Sequence, residues 1–252
     1  SKKAYAVGMG PFPDGVYRAQ FPYYYRNPEG MPQEAALDYY LNSIKDVFEQ
    51  CGPADSIAAI VVEPLQGEGG FIPAPIEWVK AVRKICDENG ILLVADEVQT
   101  GFCRTGRMFA TQYWEEAGVQ PDILATAKSI AAALKTIEIM ERDDLAGRSC
   151  EIGEKVSKRF NEWKEKYPVI GDVRGLGGMI GLEFVKDQKS KEPYPEFSAA
   201  VISGCAKKGL MIEGAGTYGN VIRFLAPLVM TDEQLEAGLD IYESVIKELL
   251  EK

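Results

Sequence analysis

The chain has 252 residues, enough for one large domain or two smaller ones, and 46% of its residues are apolar. Its formal net charge of −10 argues against nucleic acid as a partner, because binding to a phosphate backbone needs clustered Lys and Arg. No stretch approaches the ~18 successive apolar residues of a membrane-spanning helix, so a membrane is not expected as a partner either.

The chain contains no histidine. This count excludes Ser-His-Asp and Cys-His catalysis as well as His-based zinc and iron sites, and we expect no metal site. Proton transfer must then use Lys, Asp, Glu, Tyr or Cys, and a lysine that forms a Schiff base becomes the leading enzymatic possibility. The five cysteines form no CxxC motif, and their odd number is typical of reduced thiols in a cytoplasmic protein.

The first half of the chain alternates between helical and strand patterns. The predicted elements are a helix over 33–50, a strand over 56–62, a helix over 76–89, a strand over 91–96, a short helix near 110–117 and a strand over 121–129. Because helices connect the strands, the strands should pair in parallel. The uninterrupted apolar run of the second strand further predicts that both of its faces are covered.

All three predicted strands end in a side chain that can do chemistry: Glu63, Asp96 and Lys128. In open α/β sheets, ligands bind beyond the carboxyl ends of parallel strands, so these positions are candidates for an active site. Asp96 serves equally well as the cap of a turn, and Lys128 serves equally well as a surface lysine. The residues by themselves leave both interpretations open.

The second half of the chain predicts an α+β arrangement. Its elements are helices over 131–167 with a break at Asp143-Asp144, a strand pair within 169–185, a helix over 198–208, strands over 210–213 and 221–225, and a last helix whose capping box joins Thr231 to Gln234. We therefore predict a large domain over residues 1–138 and a smaller domain over residues 139–252. The glycine-rich stretches of this half fit no phosphate-loop motif.

Three motifs in sequence carry a resemblance to a known family. They are VEPLQGEGG at 62–70, ADEVQTGF at 95–102 with RTG at 104–106, and PDILATAKS at 121–129. Together they resemble the class III aminotransferases, which use pyridoxal 5′-phosphate (PLP), and the 4-aminobutyrate aminotransferase group in particular. The resemblance implies an α/β fold, the PLP-dependent transferase fold type I. It would comprise a mostly parallel sheet with flanking helices, incomplete here, and a smaller α+β C-terminal domain.

The resemblance also implies which residues hold the cofactor. Lys128 would form the Schiff base with PLP and then move the proton of the substrate. Asp96 would pair with the pyridinium nitrogen and keep it protonated, Val98 would pack on the ring, and Gln99 would bind beside the ring hydroxyl. Glu97, next to Asp96, is expected to be structural.

Three further residues would bind substrate. Arg223 would bind a substrate carboxylate, and Glu68 would neutralise Arg223 when the substrate is an amine. Glu63 would help to place an ω-amino substrate. The implied reaction moves an amino group from a donor such as 4-aminobutyrate to 2-oxoglutarate, a 2-oxo acid, in a homodimer.

The sequence departs from the family in two places. The family's N-terminal part, with a Ser-Gly-Ala phosphate loop and an aromatic-His pair, has no counterpart, and neither has the Gly-rich loop that should follow Lys128. We expect that the sequence joins parts of a longer chain. Two alternatives remain: a related PLP enzyme, such as an ornithine-type aminotransferase or an amino-acid racemase, or an inactive truncated relative that acts as a binding module.

Overall fold

A computed structural model describes residues 7–10, 14–126 and 130–251, without the side chains of 130–133. The chain forms two compact units. The first comprises residues 1–64, 74–100 and 110–127, and the second comprises residues 65–73, 101–109 and 128–252. Two segments of nine residues therefore interrupt the first unit in sequence and belong to the second. The division into domains at residues 1–138 and 139–252 stays a proposal.

The described residues form both helices and strands, so the fold is of the mixed α/β type. In chain order they are α1 (Gln33–Gln50), β1 (Ala59–Val62), β2 (Leu65–Gln66), β3 (Ile72–Pro73), α2 (Ile76–Asn89), β4 (Leu92–Asp96), α3 (Gln112–Glu116), β5 (Ile123–Ala125), α4 (Ile130–Arg142), α5 (Leu145–Lys166), β6 (Ile170–Leu176), β7 (Met179–Phe184), α6 (Pro195–Lys207), β8 (Glu213–Ala215), β9 (Val221–Phe224) and α7 (Asp232–Leu250).

The first unit contains a parallel sheet with the strand order β1-β4-β5. The predicted parallel pairing is thus confirmed. Helix α2 connects β1 to β4 and ends at Gly90, whose φ of 67° gives the predicted left-handed cap. The backbone leaves this unit after Pro64 and returns at Ala74, and the Ala74 N–H donates to the Pro64 oxygen at 2.9 Å.

The prediction that both faces of β4 are covered is wrong for the residues that the structure describes. Leu93 and Ala95 are fully buried in one apolar core with residues of α1 and α2. On the other face, Leu92 is 44% exposed, and Val61 of β1 and Ile123 of β5 are exposed as well. Burial along β4 therefore alternates with the period of a strand.

The second unit is built around an antiparallel sheet with the strand order β6-β7-β9-β8. Its core contains Phe160 and Trp163 of α5, Leu182 of β7, Val201 of α6 and Tyr242 of α7. An α+β arrangement was predicted for this part of the chain, and the described elements agree with it.

Local signals predicted the starts of two helices of this unit. The break at Asp143-Asp144 is confirmed, since Asp144 caps α5 by accepting a hydrogen bond from the Gly147 N–H at 3.2 Å. The capping box between Thr231 and Gln234 at the start of α7 is confirmed as well.

One strand prediction is wrong. The strand expected over residues 210–213 starts only at Glu213, because the Leu210 N–H still closes the end of α6 by donating to the Cys205 oxygen at 2.9 Å. Among the described residues, no helix combines the length and the apolarity that crossing a membrane requires.

Candidate active site

Asp96 is the last residue of β4 and lies at the carboxyl edge of the parallel sheet. It is partly buried, and its Oδ1 accepts a hydrogen bond from the Val98 N–H at 3.1 Å. Asp96 therefore does cap the turn after β4. Among the described residues this is the only hydrogen bond that it accepts, so most of its acceptor capacity is available to a ligand.

Val98 and Gln99 follow in the same turn, and each has a property that suits a ligand. The Val98 side chain is 56% exposed although it is apolar. The Gln99 Oε1 atom is buried, yet no described residue donates a hydrogen bond to it. A buried acceptor without a donor is costly, so such an atom marks a place where a donor from a ligand would fit.

Glu97 is fully buried and bonded within the first unit. Its Oε1 accepts the Thr111 N–H at 2.6 Å, and its Oε2 accepts the Thr100 hydroxyl at 2.5 Å. Each oxygen of the buried Glu97 carboxylate therefore has a hydrogen-bond donor within the first unit. The expectation of a structural role for Glu97 is in keeping with this arrangement.

Glu63 and Lys128 complete the set of predicted strand-end residues. Glu63 directly follows the β1 residue Val62, which pairs with Ala95 of β4, so Glu63 and Asp96 occupy equivalent positions on neighbouring strands. Glu63 is partly buried. Lys128 lies outside the described residues.

Arg223 belongs to the second unit and lies in a row of paired residues across its sheet. The row runs from Arg174 on β6 through Gly181 on β7 and Arg223 on β9 to Glu213 on β8. The loop that contains Glu68 lies against this row. The Arg223 Nη1 donates to the Glu68 Oε1 at 2.5 Å, so the predicted pair of substrate-binding residues is formed within one unit.

The absence of a side chain at Gly181 lets the Glu68 loop approach the sheet. A Cβ atom at Gly181 would lie 3.2 Å from both the Gly70 oxygen and the Phe71 Cβ, closer than most such contacts. Phe71 is fully buried with a φ of 54°, a conformation that only its packing maintains. The loop therefore has a fixed place on the sheet.

Two hydrogen bonds fasten the loop, one at Glu68 itself and one two residues after it. The Gly216 N–H donates to the Glu68 backbone oxygen at 3.0 Å, and the Arg174 Nε donates to the Gly70 oxygen at 2.9 Å. Arg174 is itself held by the carboxylates of Asp172, at 2.8 Å, and Glu183, at 2.7 Å. The position of the Glu68 carboxylate is thus determined by the sheet beneath it.

Arg223 has a second partner, Glu213, that was not predicted from the sequence. The Arg223 Nη2 donates to the Glu213 Oε2 at 2.5 Å, and these two residues are directly opposite each other on β8 and β9. The opposite charges of Glu213 and Arg223 are the only sequence signal for this pair. That signal does not predict the contact, because the glycine-rich connection between the two strands leaves their register undefined in the sequence.

The sequence also matches a known family along most of its length. The family described as aminotransferase class-III matches residues 1–132 and 129–246. The chain belongs to the class III aminotransferase family. The two parts of the match overlap at residues 129–132, directly after Lys128, where a loop of the family is expected to be missing.

Individual relatives agree with this assignment. The chain is 38% identical to the probable 4-aminobutyrate aminotransferase of Bacillus subtilis (strain 168) and 39% identical to the 5-aminovalerate aminotransferase DavT of Pseudomonas putida, each over 97% of its own residues. It spans only 64% and 63% of the length of these two relatives.

A solved structure of the family has the same fold. The amine transaminase from an uncultivated Pseudomonas species, in a PLP-bound form, superposes with a TM-score of 0.85 at 28% identity. The superposition covers 97% of this chain and 64% of the other. The described elements therefore form a large part of a PLP-dependent transferase fold of type I.

Proposed function

We propose that this protein is a PLP-dependent aminotransferase that moves an amino group from an ω-amino acid, such as 4-aminobutyrate, to 2-oxoglutarate. The observation that carries the proposal is the ion pair between Glu68 and Arg223, whose oxygen and nitrogen lie 2.5 Å apart. An enzyme with these two substrates must bind a carboxylate beside the reacting carbon in one half-reaction and accept a bare methylene group there in the other.

The Glu68–Arg223 pair meets both requirements. With a dicarboxylate substrate, Glu68 yields Arg223 to the carboxylate, for which a planar guanidinium is well shaped. With an amine substrate, Glu68 neutralises Arg223 so that no charge is left uncompensated. The Arg223 side chain is only 15% exposed, so its charge would be costly without a partner.

In this proposal, three residues at the end of β4 and in the turn after it would hold PLP. When it is bound, PLP supplies an electron sink for the carbon that loses a proton. The Asp96 carboxylate would hold a proton on the ring nitrogen, the exposed Val98 side chain would pack against the ring, and the unpartnered Gln99 Oε1 would accept a hydrogen bond beside it. These residues fit the cofactor.

Two roles complete the proposal. The Lys128 Nζ would hold the cofactor covalently and then carry the substrate proton, and Glu63 would help to place the ω-amino substrate. We further propose a homodimer in the cytoplasm. The five cysteines are free in the structure, which supports a reducing compartment.

The proposal is tested with the full-length protein loaded with PLP. Addition of 4-aminobutyrate should convert the visible absorbance band of the bound cofactor to that of its amine form, and 2-oxoglutarate should restore it. No spectral change with any ω-amine would refute the proposal. Chiral analysis of single amino acids incubated without a 2-oxo acid would reveal a racemase instead.

A matched pair of variants tests the role of Arg223. Arg223→Met removes a charged donor from the carboxylate and should raise the KM for 2-oxoglutarate by about 10-fold to 100-fold, in line with a loss of about 1.5–3 kcal/mol. The KM for 4-aminobutyrate should change much less. Glu154→Gln, an exposed carboxylate on α5, serves as the control and should change neither value.

A further inference from the structure

Both terminal nitrogens of Arg223 are engaged by carboxylates of the same unit. Nη1 contacts Glu68 and Nη2 contacts Glu213, each at 2.5 Å. The third nitrogen, Nε, is buried and has no hydrogen-bond partner among the described residues. A carboxylate that docks on the Nη1–Nη2 edge of the guanidinium therefore competes with two side chains for these nitrogens.

The two carboxylates are held differently. Glu68 is on a loop fastened to the sheet, and its side chain is 35% exposed. Glu213 is on β8, directly opposite Arg223 on β9, and its side chain is 71% exposed. Glu213 can rotate into solvent without disturbing packing, so it is the partner that is more readily displaced.

We propose that Glu213 is a specificity-determining residue that competes with the dicarboxylate substrate for Arg223. This inference rests on the proposed function, because it assigns Glu213 to the half-reaction in which Arg223 binds a carboxylate. Glu213 accepts a hydrogen bond from one terminal nitrogen of the Arg223 guanidinium and adds a negative charge beside it. Both effects weaken the binding of glutarate-like dianions and leave an amine, which needs no contact with Arg223, unaffected.

The size of the effect follows from the exposure of Glu213. Exposed ion pairs contribute up to about 1 kcal/mol, so removal of the Glu213 charge should tighten dicarboxylate binding by up to about fivefold. High salt screens exposed charges, so the difference should shrink as sodium chloride is raised.

The experiment compares Glu213→Gln, Glu213→Lys and the control Glu154→Gln in the full-length, PLP-loaded protein. Glutarate, an unreactive dicarboxylate, is titrated by calorimetry, and the KM values for 2-oxoglutarate and 4-aminobutyrate are measured alongside. We expect Glu213→Gln to lower the glutarate Kd and the 2-oxoglutarate KM by up to about fivefold. Glu213→Lys should lower both values further. The KM for 4-aminobutyrate and the value of kcat should stay unchanged.

Two results would overturn the inference. One is a glutarate Kd of Glu213→Gln that equals that of Glu154→Gln, and the other is an equal change in KM for both substrates. The calorimetric readout does not require turnover. If every form of the protein fails to transaminate, the proposed function fails, and the glutarate titration still decides whether Glu213 competes for Arg223.

Discussion

At the scale of single residues, strand geometry separates two neighbouring carboxylates. Asp96 and Glu97 are adjacent in sequence, and successive side chains of an extended chain point to opposite faces. Glu97 falls on the side of the buried Ala95 and is itself fully buried, whereas Asp96 stays partly accessible at the end of β4. Their surroundings, and not their chemistry, give them different tasks.

This difference predicts that substitution by alanine has different effects at the two positions. Glu97→Ala leaves the buried Thr111 N–H without an acceptor and should lower the free energy of unfolding by about 1–3 kcal/mol. Asp96→Ala should cost less stability but should lose bound PLP on dialysis. Urea unfolding and the cofactor absorbance of the two variants check this. Equal destabilisation with equal cofactor retention would contradict it.

At the scale of elements, the turn between β6 and β7 is packed tightly between a helix and a loop of the same unit. The Gly178 N–H donates to the Ser149 hydroxyl of α5 at 2.8 Å, and that hydroxyl donates to the Arg104 oxygen at 2.9 Å. A Cβ atom on Gly177 would lie 2.3 Å from the Thr105 carbonyl carbon. The RTG part of the second family motif thus supports a hairpin.

Two helical glycines of the second unit should respond oppositely to alanine. In α5, a Cβ on Gly153 would lie 1.9 Å from the Gly177 oxygen, so Gly153→Ala must move the backbone and should cost about 1–3 kcal/mol or more. In α7, a Cβ on Gly238 would lie 3.5 Å from its nearest neighbour, the Leu210 Cδ1. Gly238→Ala should therefore be neutral or stabilising, by up to about 1 kcal/mol, because alanine favours helix.

Thermal unfolding of the two variants, followed by circular dichroism, provides the comparison. A Gly153→Ala variant as stable as the Gly238→Ala variant would show that the hairpin turn is not held against α5 in the way described.

At the scale of the whole molecule, the sequence predicted what depends on local patterns. Apolar periodicity located the helices and the parallel strands, and the capping residues Asp144 and Thr231 marked helix starts. Membership of residues 65–73 and 101–109 in the second unit could not be predicted, because it depends on contacts with residues far along the chain, such as that of Gly70 with Arg174. The same limit hid the pairing of Glu213 with Arg223.

The stability of the molecule should fall in acid, in part through Glu243. Burial alone would raise the pKa of the Glu243 carboxyl, but hydrogen bonds from Lys166, Tyr167 and Lys247 outweigh burial and lower that pKa from 4.5 to about 2. As the pH falls, the Glu243 carboxyl therefore takes up a proton in the unfolded chain before it does so in the folded chain. The stabilisation by Glu243 is fully present above about pH 4.5 and is lost as the pH falls from there to about 2.

Glu243→Gln should accordingly reduce the urea midpoint at pH 7 and have a smaller effect at pH 3, as measured by tryptophan fluorescence. Glu248→Gln is the matched control on the same helix, because its carboxylate is 56% exposed. A deficit of Glu243→Gln that is as large at pH 3 as at pH 7 would mean that the charge of Glu243 is not what stabilises the fold.

The two segments of the chain that leave the first unit, residues 65–73 and 101–109, each have a hydrogen bond between the residues that flank them. The Ala74 N–H holds the Pro64 oxygen at 2.9 Å below the segment that contains Glu68, and the Thr111 N–H holds Glu97 at 2.6 Å below the segment over 101–109. When the ends of a segment are already joined, each doubling of its length costs only about 0.6 kcal/mol. A change in the length of the segment that bears Glu68 should therefore cost little loop entropy, so the proposed choice of substrate can change there while the strand that bears Asp96 stays in place.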